Sequence, residues 1–322
     1  MGVNLKDLME AKPISFSDLS QKTIAVDALN SLYQFLASIR QADGTPLMNS
    51  GGEITSHLSG LLYRTTNLIK MGIKPVYVFD GKPPEEKIET LRARKKAKEK
   101  ANEQWEAAKA EGRIEDARKY AKRTSKLTRE MGDEAKKLLN YMGVPVIEAP
   151  SEGEAQCTYL VENSDAWAVA STDYDSLLFG SKRLIRGFTM SGRMDLTILE
   201  LDNVLKDLEI TREQLIDLAI LVGTDFNSGV YGIGPKKALK AVKGGEVESM
   251  DLDFDLEKTR SIFLNHPVEK DYSTDFSKIN ENKIFKLLVE KHEFSNDRVR
   301  RAINELENAY KKMSQQSLSK WF

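Results

Sequence analysis

The sequence predicts an α/β protein with a mostly parallel central sheet flanked by helices, and three observations carry that expectation. Four apolar runs of strand length, at 21–28, 75–79, 145–149 and 166–171, are separated by segments of helical spacing. Each run delivers an acid at or just past its carboxyl end, namely Asp27, Asp80, Glu152 and Asp173. With 322 residues, 40% of them hydrophobic, the chain is long and apolar enough to bury the core such a sheet needs. Alternation of strands and helices gives a parallel sheet, and ligands of parallel sheets bind outside the carboxyl ends of the strands.

The first run, Q-K-T-I-A-V-D-A, reads as a short buried strand that stops on Asp27. Residues 29–39 continue at helical spacing through Leu32, Phe35, Leu36 and Ile39. After a Gly51-Gly52 loop, 54–71 reads as an amphipathic helix with Leu58, Leu61, Leu62, Thr65, Leu68 and Ile69 on its apolar face. P-V-Y-V-F at 75–79 then repeats the first design, ending on Asp80 and followed by G-K-P-P.

From about 85 to 141 runs an insertion rich in Lys, Arg, Glu and Ala, a helix composition without a continuous apolar stripe. Arg92, Arg94, Lys95, Lys96, Lys98 and Lys100 cluster there against one acid, Glu99. Arg118, Lys119, Lys122, Arg123, Lys126 and Arg129 form a second cluster, in which the spacing 118, 122, 126, 129 predicts one basic face of a single helix. A charge run often marks only a solvated face. Two clusters of one sign directly after a carboxylate-bearing strand favour contact with a phosphate backbone.

The third strand, 145–149, leads into P-S-E-G-E-A, which places Glu152 and Glu154 at the start of a helix, and the fourth leads to Asp173 and Asp175. Four carboxylates thus meet at one edge. Each raises its neighbours' pKa, and a divalent cation relieves the repulsion; an all-oxygen ligand set suits Mg2+ or Mn2+ and argues against zinc. Residues 211–223 form an apolar helix closed by Gly223, beyond which Asp225 is a seventh candidate ligand. In G-I-G-P-K-K-A at 232–238, Gly232 and Gly234 permit close backbone approach, Pro235 suits a first helical turn, and Lys236 and Lys237 suit a phosphate. The stretch 251–275 is acidic and irregular, 281–312 reads as two amphipathic helices, and the sequence closes on Q-Q-S-L-S-K-W-F. There Leu318, Trp321 and Phe322 recur at three and four residues, so one helical turn would present all three to a partner pocket.

Composition narrows the classes further. Lys and Arg total 48 against 49 Asp and Glu, a formal net charge of -1, so only local segregation of charge can mark a nucleic-acid surface. One cysteine, Cys157, excludes an internal disulfide framework, and three scattered histidines offer no zinc signature. No apolar run approaches membrane length, and no secretion signal or lipidation motif is read at the N-terminus, so the expectation is a cytoplasmic protein in a reducing compartment.

Together these residues resemble the flap endonucleases of the structure-specific 5′-nuclease superfamily, in an archaeal-type short form. The motifs that carry the resemblance are V-D-A at 26–28, Y-V-F-D-G-K-P-P at 77–84, P-S-E-G-E-A at 150–155, D-Y-D-S-L-L-F-G at 173–180, G-T-D at 223–225 and G-I-G-P-K-K-A at 232–238. The resemblance spans nearly the whole chain. It implies a PIN-like 5′-nuclease core in one nuclease domain over 1–312, with an N-terminal region to about 84, a helical arch at about 85–131, an internal region at about 132–312 and a flexible clamp-binding tail at 313–322. It also implies that Asp27, Asp80, Glu152, Glu154, Asp173, Asp175 and Asp225 hold two Mg2+ ions, with Mn2+ able to substitute. Lys87 and Arg94 would act on the scissile phosphate, and Tyr33 would stack on the terminal base. Further DNA contacts are expected at Arg40, Glu53, Thr55, Arg64, Lys122, Lys126, Gly232, Gly234, Lys236 and Lys237. The hairpin 232–238 would be a helix-two-turn-helix element associated with K+. Gln315, Leu318, Trp321 and Phe322 match a sliding-clamp (PCNA) binding box, expected to be loosely placed in the free protein and ordered on the clamp. Thr172, where relatives often carry an amide or an acid, and a short 189–198 segment depart from the family pattern.

The expected activity is metal-dependent endonuclease and 5′-3′ exonuclease removal of 5′ flaps from branched DNA in replication and base excision repair, by a nucleoid-associated monomer. A sibling nuclease preferring nicks, single strands or junctions would share the acids. A small-molecule phosphatase would have no use for the arch or hairpin, and a non-enzymatic clamp-bound scaffold would have no use for seven acids.

Overall fold

The structure, a computed structural model, describes residues 3, 5–121, 124–188 and 195–318. In chain order its strands and helices are β1 (Lys12–Pro13), β2 (Thr23–Asp27), α1 (Ala28–Ser38), α2 (Ser56–Lys70), β3 (Lys74–Phe79), α3 (Ile88–Ala110), α4 (Ile114–Ala121) and α5 (Arg129–Met142). They continue as β4 (Val146–Glu148), α6 (Gly153–Glu162), β5 (Ala168–Ala170), α7 (Asp175–Leu178), β6 (Arg183–Arg186), β7 (Thr197–Glu200), α8 (Leu201–Leu208) and α9 (Arg212–Val222). The last are α10 (Pro235–Lys243), α11 (Leu256–Leu264), α12 (Glu281–Phe285) and α13 (Asn296–Leu318).

The described strands form one seven-stranded sheet in the order β1-β7-β6-β5-β2-β3-β4. β2 pairs in parallel with β3 and β5, β3 with β4, and β5 with β6; β7 runs antiparallel to both β6 and β1. The mostly parallel expectation holds for the five consecutive strands from β6 to β4. The antiparallel edge, β1 and β7, was not read from the sequence, because strands of two and four residues leave too few positions to show a period.

Period-two alternation sends Ala25, Val76, Val78 and Val169 to one face of the sheet and Ile24, Val26, Tyr77 and Phe79 to the other. Both faces are buried. On the first side α6 and α9 complete the core, with Cys157, Leu160, Leu215 and Leu218 fully enclosed; on the second, α2, α5 and α13 do so through Leu58, Leu61, Leu138, Leu139 and Leu306. Local signals set the helix ends. Asp27 caps α1, accepting the Asn30 N–H, while Thr211 and Gln214 form a reciprocal capping box on α9. Among the described residues no helix is long and apolar enough to cross a membrane.

The basic insertion differs from expectation in one respect. α3 and α4 form a helical projection, but α4 ends at Ala121 and residues 124–128 are not helical, so 118, 122, 126 and 129 do not share one helix face. The hydroxyl-rich stretch T-S-K-L-T supplies the reason. Thr128 turns its side chain back to the Met131 N–H as the cap of α5, and buried Ser125 accepts a hydrogen bond from Arg40, so the local polar groups serve caps and ties instead of a continuing helix. From there α5 belongs to the core, burying Ala135, Leu138, Leu139 and Met142. At the other end, α13 runs to Leu318 and so into the stretch expected as a tail; Trp321 and Phe322 lie outside the described residues.

Candidate active site

Every acid that the sequence placed at the carboxyl edge of the sheet is there. Asp27 ends β2, Asp80 follows β3, Glu152 immediately precedes α6 and Glu154 lies in its first turn. Asp173 follows β5, Asp175 begins α7, and Asp225 stands three residues beyond the end of α9. Since β5, β2, β3 and β4 are neighbours in the sheet, their ends lie side by side and the loops behind them converge.

Backbone donors orient several of these carboxylates. Asp27 Oδ1 accepts the Asn30 N–H at 2.9 Å, Asp80 Oδ1 the Gly153 N–H at 2.9 Å, and Asp175 Oδ1 the Val3 N–H at 3.1 Å. Glycine at 153 allows this approach, because a Cβ there would strike Asp80 Oδ1 and push the carboxylate aside. Gly81 is held likewise. Its N–H bonds the Ser151 carbonyl at 2.7 Å, the Lys82 N–H bonds the Pro150 carbonyl at 3.3 Å, and a Cβ at Gly81 would overlap the Ala149 and Pro150 carbonyls.

The projection reaches down into this cluster. Lys87 Nζ lies 2.5 Å from Glu152 Oε2 and 3.7 Å from Asp225 Oδ2, and Arg94 Nη2 pairs with Asp225 Oδ1. One helical turn further, Lys98 Nζ sits 4.4 Å above the Tyr33 ring and 3.3 Å from its hydroxyl. Lys87 belongs to the short turn Glu85–Lys87 that leads into α3 and so does not share a helix with Arg94, yet both face the acids.

Charge is costly here. Burial first, then Asp80, drives the Asp27 carboxyl well above the ordinary aspartate range, and burial with Asp175 and Asp173 does the same to Glu154. Burial also raises Asp80 and Glu152, against the pull of Lys87. Asp175 is pushed up to about 7 by burial, Asp225 and Asp173. Lys87 responds in the opposite sense: burial would lower its pKa, but Glu152, Asp80 and Asp225 together raise it.

The donor set fits a hard divalent cation. It is all oxygen, and Glu154 Oε1 is buried with no hydrogen-bond partner, an arrangement that costs free energy unless a cation or proton satisfies it. Among the described residues no three His, Cys, Asp or Glu side chains already stand in ligand geometry; Glu152 and Asp225 are engaged by Lys87 and Arg94 instead.

The other expected positions divide into two groups. Tyr33 is half-exposed beside the acids, and the hairpin is open: Gly232 has φ +79°, nothing lies near a Cβ at Gly232 or Gly234, and Lys236 is exposed. Lys237 bonds the Gly232 carbonyl at 3.0 Å. Arg40 is turned inward, donating to the Leu36 and Gly44 carbonyls and to Ser125. Thr55 is buried, Arg64 is half-buried, and Glu53 pairs with Asn49 at 2.8 Å. Lys126 is exposed after α4, whereas Lys122 lies outside the described residues. Gln315 and Leu318 are in α13.

Some residues at the site went unread from the sequence. Asn30, Arg186 and Ser171 contact the loops that carry the acids, and nothing in their spacing announces it; only Asn30, three residues after Asp27, had a local cue as the N–H that an N-cap engages.

Comparison with known proteins bears on the family and the fold. The XPG N-terminal domain matches residues 1–101 and the XPG I-region residues 143–225. Flap endonuclease 1 of Pyrococcus horikoshii is 50% identical, covering 100% of this chain and 98% of its own; that of Methanobrevibacter smithii is 49% identical with both chains covered in full. The solved flap endonuclease-1 of Methanococcus jannaschii superposes with a TM-score of 0.81 at 42% identity, over 96% of this chain and 98% of that one. With a relative 50% identical over the full length and a solved homologue matching over 96% of it, this chain belongs to the flap endonuclease family.

Proposed function

We propose that this protein is a divalent-metal-dependent DNA endonuclease and 5′-3′ exonuclease that removes 5′ flaps at single-strand/double-strand junctions during replication and base excision repair. The observation that carries this reading is the pairing of Lys87 and Arg94 with Glu152 and Asp225, which sets a basic helical projection directly over a carboxylate floor. Asp27, Asp80, Glu152, Glu154, Asp173, Asp175 and Asp225 would hold two Mg2+ ions, with Mn2+ as substitute. When bound, such ions supply an activated water and stabilise the leaving oxygen.

The chain's own side chains do the rest. Lys87 and Arg94 exchange their carboxylate partners for the scissile phosphodiester, adding positive charge where negative charge develops. Tyr33 offers its ring to the base beside the break, once Lys98 moves to the backbone. Downstream, the open hairpin with Lys236 presents free N–H groups to duplex phosphates, with K+ as a candidate ion there. The C-terminal Gln315, Leu318, Trp321 and Phe322 dock on a sliding clamp, and the enzyme works as a cytoplasmic monomer at the nucleoid.

The test is incubation of purified protein with labelled 5′-flap, nicked, single-stranded and four-way-junction DNA, in Mg2+ and in EDTA. Release of the flap in Mg2+ alone, faster than any cut in the other substrates, is expected; no cleavage of any of them, or equal rates on all, would overturn the assignment.

A further inference from the structure

Asp173 sits in a loop that is gripped from both sides. β5, which leads to it, lies between β2 and β6 in the sheet. From the β2 side, Asn30 Nδ2 donates to Thr172 Oγ1 at 2.7 Å, and Gln34 Nε2 fixes the orientation of that amide by donating to Asn30 Oδ1 at 2.6 Å. The same Asn30 gives its backbone N–H to Asp27. On the β6 side, Arg186 Nε donates to the Thr172 carbonyl at 3.2 Å and Nη1 to the Tyr174 hydroxyl at 2.5 Å, with the guanidinium 4.4 Å over the Tyr174 ring. The residues before and after Asp173 are therefore both tied, and its own N–H bonds Ser171 Oγ at 3.2 Å.

We propose that Asn30 and Arg186 are positioning residues that act through Thr172 to hold Asp173 at a fixed separation from Asp27. The need for such a tie is electrostatic: Asp173 adds to the repulsion felt at Asp27, and two loops carrying like charges spread apart unless something spans them. Thr172 supplies both handles, its hydroxyl to one neighbour and its carbonyl to the other. The bonds that orient ligands in this way are commonly worth 10–100-fold in metal affinity. The inference rests on Asp173 being one of the carboxylates that hold the divalent ion.

Thr172→Val keeps the shape and deletes the hydroxyl, leaving Asn30 Nδ2 without its acceptor; Thr172→Ser restores it. Calorimetric titration of the EDTA-stripped protein with Mn2+, without DNA, should show affinity reduced about tenfold in Thr172→Val and unchanged within about twofold in Thr172→Ser. Arg186→Lys keeps the charge but cannot span the Thr172 carbonyl and the Tyr174 hydroxyl, and should weaken Mn2+ similarly. Flap affinity in EDTA and the melting temperature should stay near wild type in all three. Normal Mn2+ affinity in Thr172→Val, or equal losses in the Val and Ser variants, overturns the clamp. If Asp173→Ala itself binds Mn2+ as the wild type does, the metal assignment of Asp173 falls and the clamp's purpose falls with it.

Discussion

Replacing Asp175 by asparagine should stabilise the metal-free protein while ending its nuclease activity. Asp175 is buried, and burial, Asp225 and Asp173 together push its carboxyl from the ordinary 3.8 to about 7. At about 1.4 kcal/mol per pH unit, keeping this group ionised above pH 7 would cost the fold about 4 kcal/mol if it titrated alone. It does not titrate alone, because Glu154 and Asp27 are driven up as well and the cluster shares its protons; about half that figure, roughly 2 kcal/mol, is expected. The sign follows from the raised pKa. The folded chain binds more protons than the unfolded one between about pH 4 and 7, so this contribution is fully present at low pH and is lost as pH rises towards 7. Asparagine removes the charge and keeps an oxygen for the Val3 N–H. In EDTA at pH 8 the variant should therefore melt about 2–5 °C above wild type, and at pH 4 the two should coincide. Identical melting at pH 8, or a gain that persists undiminished at pH 4, would refute the reasoning. Excess Mg2+ should reverse the order, since wild type alone gains the full binding energy of the ion.

Three further outcomes are expected. Lys87→Ala and Arg94→Ala should each lower the single-turnover rate on a bound flap far more than they lower its affinity; a collapse of affinity with an unchanged bound rate would reduce them to ordinary backbone contacts. Lys122→Glu with Lys126→Glu should flatten the salt dependence of flap binding by about 0.9 in slope per lost phosphate contact, and an unchanged slope would mean that this segment is only solvated. Trp321→Ala with Phe322→Ala should abolish clamp binding and clamp stimulation in a pull-down and cleavage assay while basal flap cleavage persists; loss of that basal activity would assign the tail to the fold.

The parts of the molecule that were legible in the sequence are those fixed by local chemistry. T-I-A-V-D and P-V-Y-V-F are β-branched and aromatic runs long enough to declare strands, and each carries its acid with it, so Asp27 and Asp80 could be placed on one edge before any pairing was known. The edge strands could not be placed. Lys12–Pro13 is only two residues long and contains a proline that cannot donate to a ladder, so its pairing with Thr197–Ile198 depends on partners distant in sequence. The basic helix face over 118–129 fails for a related reason: the charge spacing is helical, but Thr128 caps α5 through a local bond to Met131 and Ser125 is tied to the distant Arg40, and both compete with a continuing helix. Asn30, Thr172 and Arg186 come from three separate elements, and only the sheet order makes them neighbours.

The bonding of Gly81 and Lys82 to the Pro150–Ser151 carbonyls has a mechanical consequence. The stem from which the helical projection departs is riveted to the loop that carries Glu152, so the two form one rigid bracket and a swing of the projection is not transmitted as independent motion of Asp80. Beyond the rivets Pro83-Pro84 fixes two φ angles and extends the stiff stem, so a swing of the projection would have to bend at the turn Glu85–Lys87. Lys87 closes that turn and is the first side chain a swing would lift off the floor. A projection transplanted from another protein should therefore be joined after Lys82, where the bracket remains whole; a splice upstream of Asp80 would cut the bracket and loosen both acids together.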